Sequence, residues 1–411
     1  MRIWLINHYA VPPQYYPLAR PSLFAKNLMK MGHEVVIIAA STVHNSTENL
    51  ITDNKKTKLF VSDGIQYYLI KCPGYQGNGI SRVVNIICFA QRLPKMVSTL
   101  EKPDVIVATS FDPISCLVSI KYAKKLGIKA VAEIADLWPE TLVAYNGLSS
   151  NNVLVKWLRH IEKQIYTKAD SVVFTADGEY DYIIQQGWQT ILPKSKFFFI
   201  NNGIDLEQFD YNKVHYRIDD VDLDDENQFN VVYTGAIRKV NNLSGLLDVA
   251  EQIHNPKIRF LVWGDGDELP KLKKRVVDEG ITNVVFKGRV EKKYIPYSTS
   301  KAAINYAHNR PSPLFVYGVS FNKIFDYLAA GRPILCDFYS KYNPVLMGNA
   351  GVSVDTADPK DIAAQIERLA DLQEDKILTF CKNARATAEE YDFKKLTIKL
   401  LDAIGLNEGE E

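Results

Sequence analysis

Cysteine is scarce in this chain and carries no pattern: Cys72, Cys88, Cys116, Cys336 and Cys381 include no Cys-x-x-Cys pair and no His partner at ligand spacing. Neither a disulfide framework nor a zinc site is indicated, which leaves buried thiols. Long apolar runs are missing too, since no stretch approaches the ~20 residues that a membrane span needs. The opening Met1-Arg2-Ile3-Trp4-Leu5-Ile6 has an apolar run too short for a secretory leader, and it reads as a first buried strand of a cytoplasmic protein. Charge of one sign is not in excess: 49 basic and 48 acidic side chains leave a net +1, which argues against bulk nucleic-acid binding. No Gly-x-Gly-x-x-Gly follows a strand, which disfavours a dinucleotide-dependent dehydrogenase.

What is present is alternation. At 46% apolar content, 411 residues suffice for two or three domains of about 150 residues each. Strand-like runs at Ile3–Ile6, Val35–Ala39, Val105–Ala108, Ala130–Glu133, Val172–Phe174 and Phe197–Ile200 are separated mostly by helix-like stretches. A second series runs through Val231–Tyr233, Phe260–Val262, Val284–Phe286, Ala302–Asn305 and Ile334–Cys336. This is the pattern of parallel α/β sheets, so two Rossmann-like halves are expected, residues 1–205 and 206–392. The acid-rich stretch Asp219 to Glu226 reads as a solvated linker or surface loop.

The run Gly318-Val-Ser-Phe-Asn-Lys-Ile-Phe-Asp-Tyr-Leu-Ala-Ala-Gly-Arg-Pro-Ile-Leu335 holds the most chemistry. Small and polar residues precede a helix-like segment that stops at Gly331, with Pro333 and an apolar strand beyond it. Such a start points unpaired N–H groups, a positive dipole end and the Lys323 cation at an anion. Asp326, one turn deeper, is placed to take two sugar hydroxyls, and diphosphate beside ribose describes a nucleotide sugar. Taken alone, an ordinary loop–helix–strand unit ended by Gly and Pro accounts for the segment equally well. A second cluster, Glu133-Ile-Ala-Asp136-Leu-Trp-Pro-Glu140, puts carboxylates just past a parallel strand, where α/β folds bind ligands. Asp136 could instead cap a helix beginning at Leu137-Trp138-Pro139.

The first of these runs resembles the donor-site signature of the family-4 retaining glycosyltransferases. That family has the GT-B fold: two Rossmann-like domains facing across a cleft, with the last helix, here about 393–411, crossing back to the first. Its signature is a Glu, seven residues and a second Glu that holds the donor ribose. Asp326 falls on the second position and Gly318 on the first, so contacts to the donor's sugar do not carry over. The wording is closer to a bacterial subgroup that builds surface polysaccharides such as O-antigen and capsule. There a Ser-Pro-Asn-Lys phrase replaces the first Glu, and an Asp-Leu-Trp-Pro-Glu phrase is typical. The opening also resembles the family, with Pro12-Pro13, Ala19-Arg20 and Gly32-His33-Glu34-Val35, although Tyr15-Tyr16-Pro17 stands where Gly-Gly is usual. Ile200-Asn-Asn-Gly-Ile-Asp205 matches the hinge phrase.

The resemblance implies a donor site made of Gly235, Arg238, Lys239, Gly288, Arg289, Ser320, Phe321, Asn322, Lys323, Ile324 and Asp326. The Arg and Lys that usually grip the diphosphate are replaced by Ala236 and Asn241, so Arg238 or Lys239 is expected to serve. Arg20, Glu133, Asp136 and Glu140 are the expected acceptor side, and Asp136, Arg238 and Lys323 the catalytic set. The implied reaction moves a hexosamine or deoxyhexosamine from a UDP-sugar, with retention, to a glycan or polyprenyl-diphosphate-linked acceptor. No cofactor is implied and no metal, and Gly264-Asp265-Gly266-Asp267 reads as a turn. The departures at Gly318, Ala236 and Asn241 keep open a degenerate protein that binds without turnover, and a related epimerase stays open beside it. Two segments, Ser81–Leu100 and Val153–Lys168, mix apolar residues with Arg82, Arg92, Lys95, Lys156, Arg159, Lys163 and Lys168. They fit either an anionic membrane surface, on the inner face of the cytoplasmic membrane, or core-facing helices.

Overall fold

The computed structural model describes residues 1–16 and 19–406. Pro17 and the polar tail Asn407–Glu411 lie outside them. The chain divides into two compact units, Met1–Asn201 with the residues from Phe393 onward, and Asn202–Asp392. The division falls at 201 and not at 205, because Asn202 is tied to Ser320 and Ile204 N donates to Tyr391 O.

The first unit is built on β1 (Arg2–Ile6), β2 (Glu34–Ala40), β3 (Thr57–Ser62), β4 (Ile65–Ile70), β5 (Val105–Thr109), β6 (Lys129–Ile134), β7 (Ser171–Phe174) and β8 (Phe197–Phe199). Their order is β3-β4-β2-β1-β5-β6-β7-β8, and only β3 runs antiparallel to its neighbour. Val, Ile and Ala fill the central strands because helices cover both faces, so the runs are continuous instead of alternating. Helix Phe393–Ile404 buries Phe393, Leu396, Leu400 and Ile404 in the same core as Ile3, Val35 and Val105. Its Ala403 carbonyl accepts from Ser171 Oγ at 2.6 Å.

The second unit holds β9 (Phe229–Thr234), β10 (Ile258–Trp263), β11 (Val284–Gly288), β12 (Ile304–Ala307), β13 (Ile334–Cys336) and β14 (Gly351–Ser353), all parallel, in the order β11-β10-β9-β12-β13-β14. In each sheet the strand order reverses beside the first strand, between β1 and β5 and between β9 and β12. Those are the crevices where open α/β sheets bind ligands, past the carboxyl ends of the strands.

The acidic stretch is not a free linker. Lys287 Nζ reaches Asp220 at 2.7 Å and Asp222 at 2.5 Å, Arg259 pairs with Asp222, and Leu223 is buried. Opposite charges supplied by β10 and β11 dock it onto the sheet edge.

Candidate active site

In the second unit the β9/β12 crevice is bounded by the loop after β9, the loop after β12 and the start of helix Asn322–Ala330. No side chain caps that helix, and Ile324 N–H turns back to Phe321 O, which leaves the amides of Asn322 and Lys323 at its open end. Lys323 Nζ donates to Tyr233 Oη at 3.2 Å and His308 O at 3.0 Å, and lies 4.4 Å from the centre of the Tyr233 ring. It has no carboxylate within ion-pair distance among the described residues. Burial pulls its pKa down to about 8, with Asp337 opposing. Lys323 is nevertheless partly exposed.

Asp326 sits one turn on, with no side-chain partner among the described residues. Burial raises its carboxyl above the usual range, against the pull of Lys292. Arg238, Lys239 and Arg289 are exposed and have no ion-pair partner among the described residues. The loop carrying the first two is shaped by neighbours: Asn241 Nδ2 donates to Ala236 O, and Gly264-Asp265-Gly266 lies directly behind it. A Cβ on Gly264 would stand 1.9 Å from Gly235 O, and one on Gly266 2.1 Å from Ile237 O, so both positions require glycine. Gly318 ends the turn Pro313–Tyr317 at φ 116°, which L side chains rarely adopt. A Glu at that position would be strained in this backbone.

The other expected donor residues divide by what holds them. Ser320 Oγ accepts from Asn202 N at 2.8 Å, and its carbonyl from Asn202 Nδ2 at 2.7 Å, so it anchors the start of this unit. The Phe321 ring packs against Phe315 and Phe338, and the Ile324 side chain is fully buried. Ile324 therefore has neither side chain nor amide to give a ligand. Gly288 closes β11, its carbonyl accepting from Gly264 N. The sequence reading passed over His308 and Asp337, two buried side chains on the loops after β12 and β13. His308 Nε2 faces Asn242 O at 2.7 Å and Nδ1 faces Asp337 Oδ2, so both ring nitrogens are called on to donate. The pair latches the loop Gly235–Asn242.

In the first unit Asp136 follows β6 and is exposed, with no side-chain partner among the described residues. Its carboxyl is raised by burial, against Arg82, because protein mass surrounds it even where water reaches it. It caps nothing: the helix starts later, at Glu140, behind Pro139. Its three companions are each engaged by a protein partner. Glu133 pairs with Arg20 Nε at 2.9 Å and accepts from Thr109 Oγ1 at 2.7 Å, while Arg20 also donates to Asn201 O and Ile200 O. Both are buried, so deleting one partner would cost about 3–5 kcal/mol through the charge left behind. Glu140 is held by Arg159 at 2.6 Å.

The two mixed segments are helices Ile80–Val97 and Val153–Lys168, and each has two faces. Phe89, Leu93 and Val97, and Leu158, Ile161 and Ile165, are core. Ile80, Val83, Val84 and Ile87, and Val153, Leu154 and Trp157, are exposed at 40% or more, all in the first turns of their helices. Three of the supposed outward cations turn in: Arg82 to Tyr9, Arg159 to Glu140, and Lys163 over the Trp188 ring at 5.5 Å.

Comparison with known proteins gives a consistent set of likenesses. Residues 23–208 match the model described as Glycosyltransferase Family 4, and residues 228–371 that of Glycosyl transferases group 1. The "Probable glycosyltransferase WbjE" of Pseudomonas aeruginosa is 22% identical over 298 residues, 68% of this chain and 69% of that protein. Among solved structures, Anabaena Alr3699/HepE in complex with UDP superposes with a TM-score of 0.67 at 14% identity, over 98% of this chain and 100% of that one. An E. coli structure described as trehalose-6-phosphate bound with UDP-2-fluoro glucose gives 0.74 at 10% identity, over 99% of both chains.

Proposed function

Because this chain is a glycosyltransferase of GT-B fold, with a family-4 domain followed by a group-1 domain, we propose that it transfers a sugar from a UDP-linked donor to a glycan or polyprenyl-diphosphate-linked acceptor. The sugar is a hexosamine or deoxyhexosamine, and the pathway is bacterial surface-polysaccharide synthesis at the inner face of the cytoplasmic membrane. The observation that carries the donor reading is the β9/β12 crevice. The uncapped start of helix Asn322–Ala330 carries Lys323 and, one turn on, Asp326, while Arg238 lies on the loop after β9, and none of the three has an ion-pair partner among the described residues. Lys323, Arg238 or Lys239, and the amides of Asn322 and Lys323 neutralise the diphosphate, while Asp326 takes the ribose hydroxyls. Asp136 faces the acceptor hydroxyl or the moving sugar.

Transfer goes with retention, and the leaving diphosphate helps to take the acceptor's proton. Stabilising the charge on that leaving group is the main work of the site, and such preorganised contacts supply several kcal/mol. Turnover without added metal is part of the proposal. The test is product analysis by NMR with a panel of UDP-hexosamines, a lipid diphosphate acceptor and chelator present. Retained anomeric configuration supports the reading. Inversion, or activity restored only by manganese or magnesium, counts against it.

A further inference from the structure

In the first unit, a cation beside the loop after β1 has no ion-pair partner among the described residues. Arg82, in the first turn of helix Ile80–Val97, donates from Nε and Nη2 to Tyr9 Oη at 3.2 and 3.1 Å, and from Nη1 to Asn78 Oδ1 at 2.6 Å. Among the described residues it has no carboxylate within ion-pair distance, whereas Arg20 and Arg159 of the same unit each have one. A guanidinium has five N–H donors. Three are engaged, and one each on Nη1 and Nη2 has no acceptor among the described residues. The group is held in place, with its carbon 5.6 Å from the Tyr9 ring centre. Tyr9 in turn packs on His44 at 4.5 Å and near Phe111 at 5.9 Å, and His44 Nδ1 meets Tyr75 Oη at 2.6 Å. Tyr9 and Tyr75 are buried, and the Arg82 charge favours the ionised form of Asp136.

We propose that Arg82, fixed by Tyr9 and Asn78 beside His44, binds a phosphate group of the acceptor. The proposal rests on reading this unit as the acceptor side. A fixed fork with two open N–H groups fits two oxygens of one phosphate, a bidentate contact that a lysine cannot reproduce. The same helix turns Ile80, Val83, Val84 and Ile87 outward, so the phosphate of a lipid-linked diphosphate would lie beside an apolar ledge. A water-soluble sugar phosphate is the other source of this chemistry.

The experiment is calorimetry on the full chain with UDP saturating the other unit, using farnesyl diphosphate and glucose 1-phosphate as probes. Arg82→Gln should weaken binding of the probe about ten- to a hundred-fold, the loss of one charge-assisted contact. Arg82→Lys should fall between that variant and the parent, and UDP affinity measured alone should stay parental in both, which also verifies their folding. Binding of farnesyl diphosphate alone assigns the lipid source, binding of glucose 1-phosphate alone the soluble one, and binding of both a site that reads the phosphate. Parental affinity in Arg82→Gln, or binding of neither probe by the parent at millimolar concentration, overturns the proposal. A parent that fails to bind UDP overturns the donor reading instead, and the probes then judge Arg82 without it.

Discussion

Raising the pH should weaken the donor site through one group. The Lys323 ammonium lies against the Tyr233 ring and a carbonyl, with no carboxylate within ion-pair distance among the described residues, and burial lowers its pKa to about 8 against the pull of Asp337. The empty site therefore begins to lose its charge just above neutrality, whereas a bound diphosphate keeps the ammonium charged. The complex then holds more protons than the free protein, so affinity must fall as pH rises through about 8. Between about pH 7 and about pH 9 the charged fraction drops from about nine-tenths to about one-tenth, which corresponds to about a ten-fold loss of UDP affinity. Calorimetry across that range on the parent and on Lys323→Met separates this effect from the nucleotide's own titration. The variant should bind more weakly at neutral pH and show a flatter profile. A flat parent profile, or equal slopes in parent and variant, would refute the reasoning.

Other perturbations test other parts of the account. His308→Gln loosens the hold on Asn242 O, so KM for the donor should rise more than kcat falls; a kcat loss at unchanged KM would contradict the latch. Glu162 is buried between Tyr166 and Tyr182, and burial raises its carboxyl to about 8 from 4.5. The folded state keeps a proton that the unfolded state releases, so stability is full below 4.5 and lost as pH rises through about 8. Glu162→Gln should therefore melt above the parent at alkaline pH and converge with it in acid, as calorimetric scans at both ends would show. Flotation with anionic liposomes should lift the parent at low salt, and a variant with Ile80, Val84 and Trp157 changed to Ser should stay behind; equal behaviour of the two removes the membrane surface.

The parallel strands of both sheets were legible because continuous Val, Ile and Ala runs mark strands buried on two faces. The edges were not. β3 and β4 escaped although Asp63-Gly64 marks their turn and Leu59, Val61 and the buried run Tyr67–Ile70 are apolar. β14 is three residues long and leaves no period to read. Asp326 and Lys323 in the second unit and Asp136 in the first were singled out from the local phrases around each of them. The pairing of Arg20 with Glu133, and the His308–Asp337 pair, could not be read, since 113 and 29 residues separate the partners and only the sheet order brings them together. Arg82 was read as the charged edge of an apolar stripe because helix periodicity assigns a face but not the Tyr9 that meets it. One signal was available: a cation in the first turn of a helix opposes the dipole and asks for a reason.

The most direct test is a crystal structure of the chain soaked with UDP. The account predicts the diphosphate at the open end of helix Asn322–Ala330, within hydrogen-bond distance of Lys323 Nζ, and the ribose hydroxyls on Asp326. A nucleotide bound elsewhere, or one in this crevice with its ribose turned away from Asp326, would contradict it.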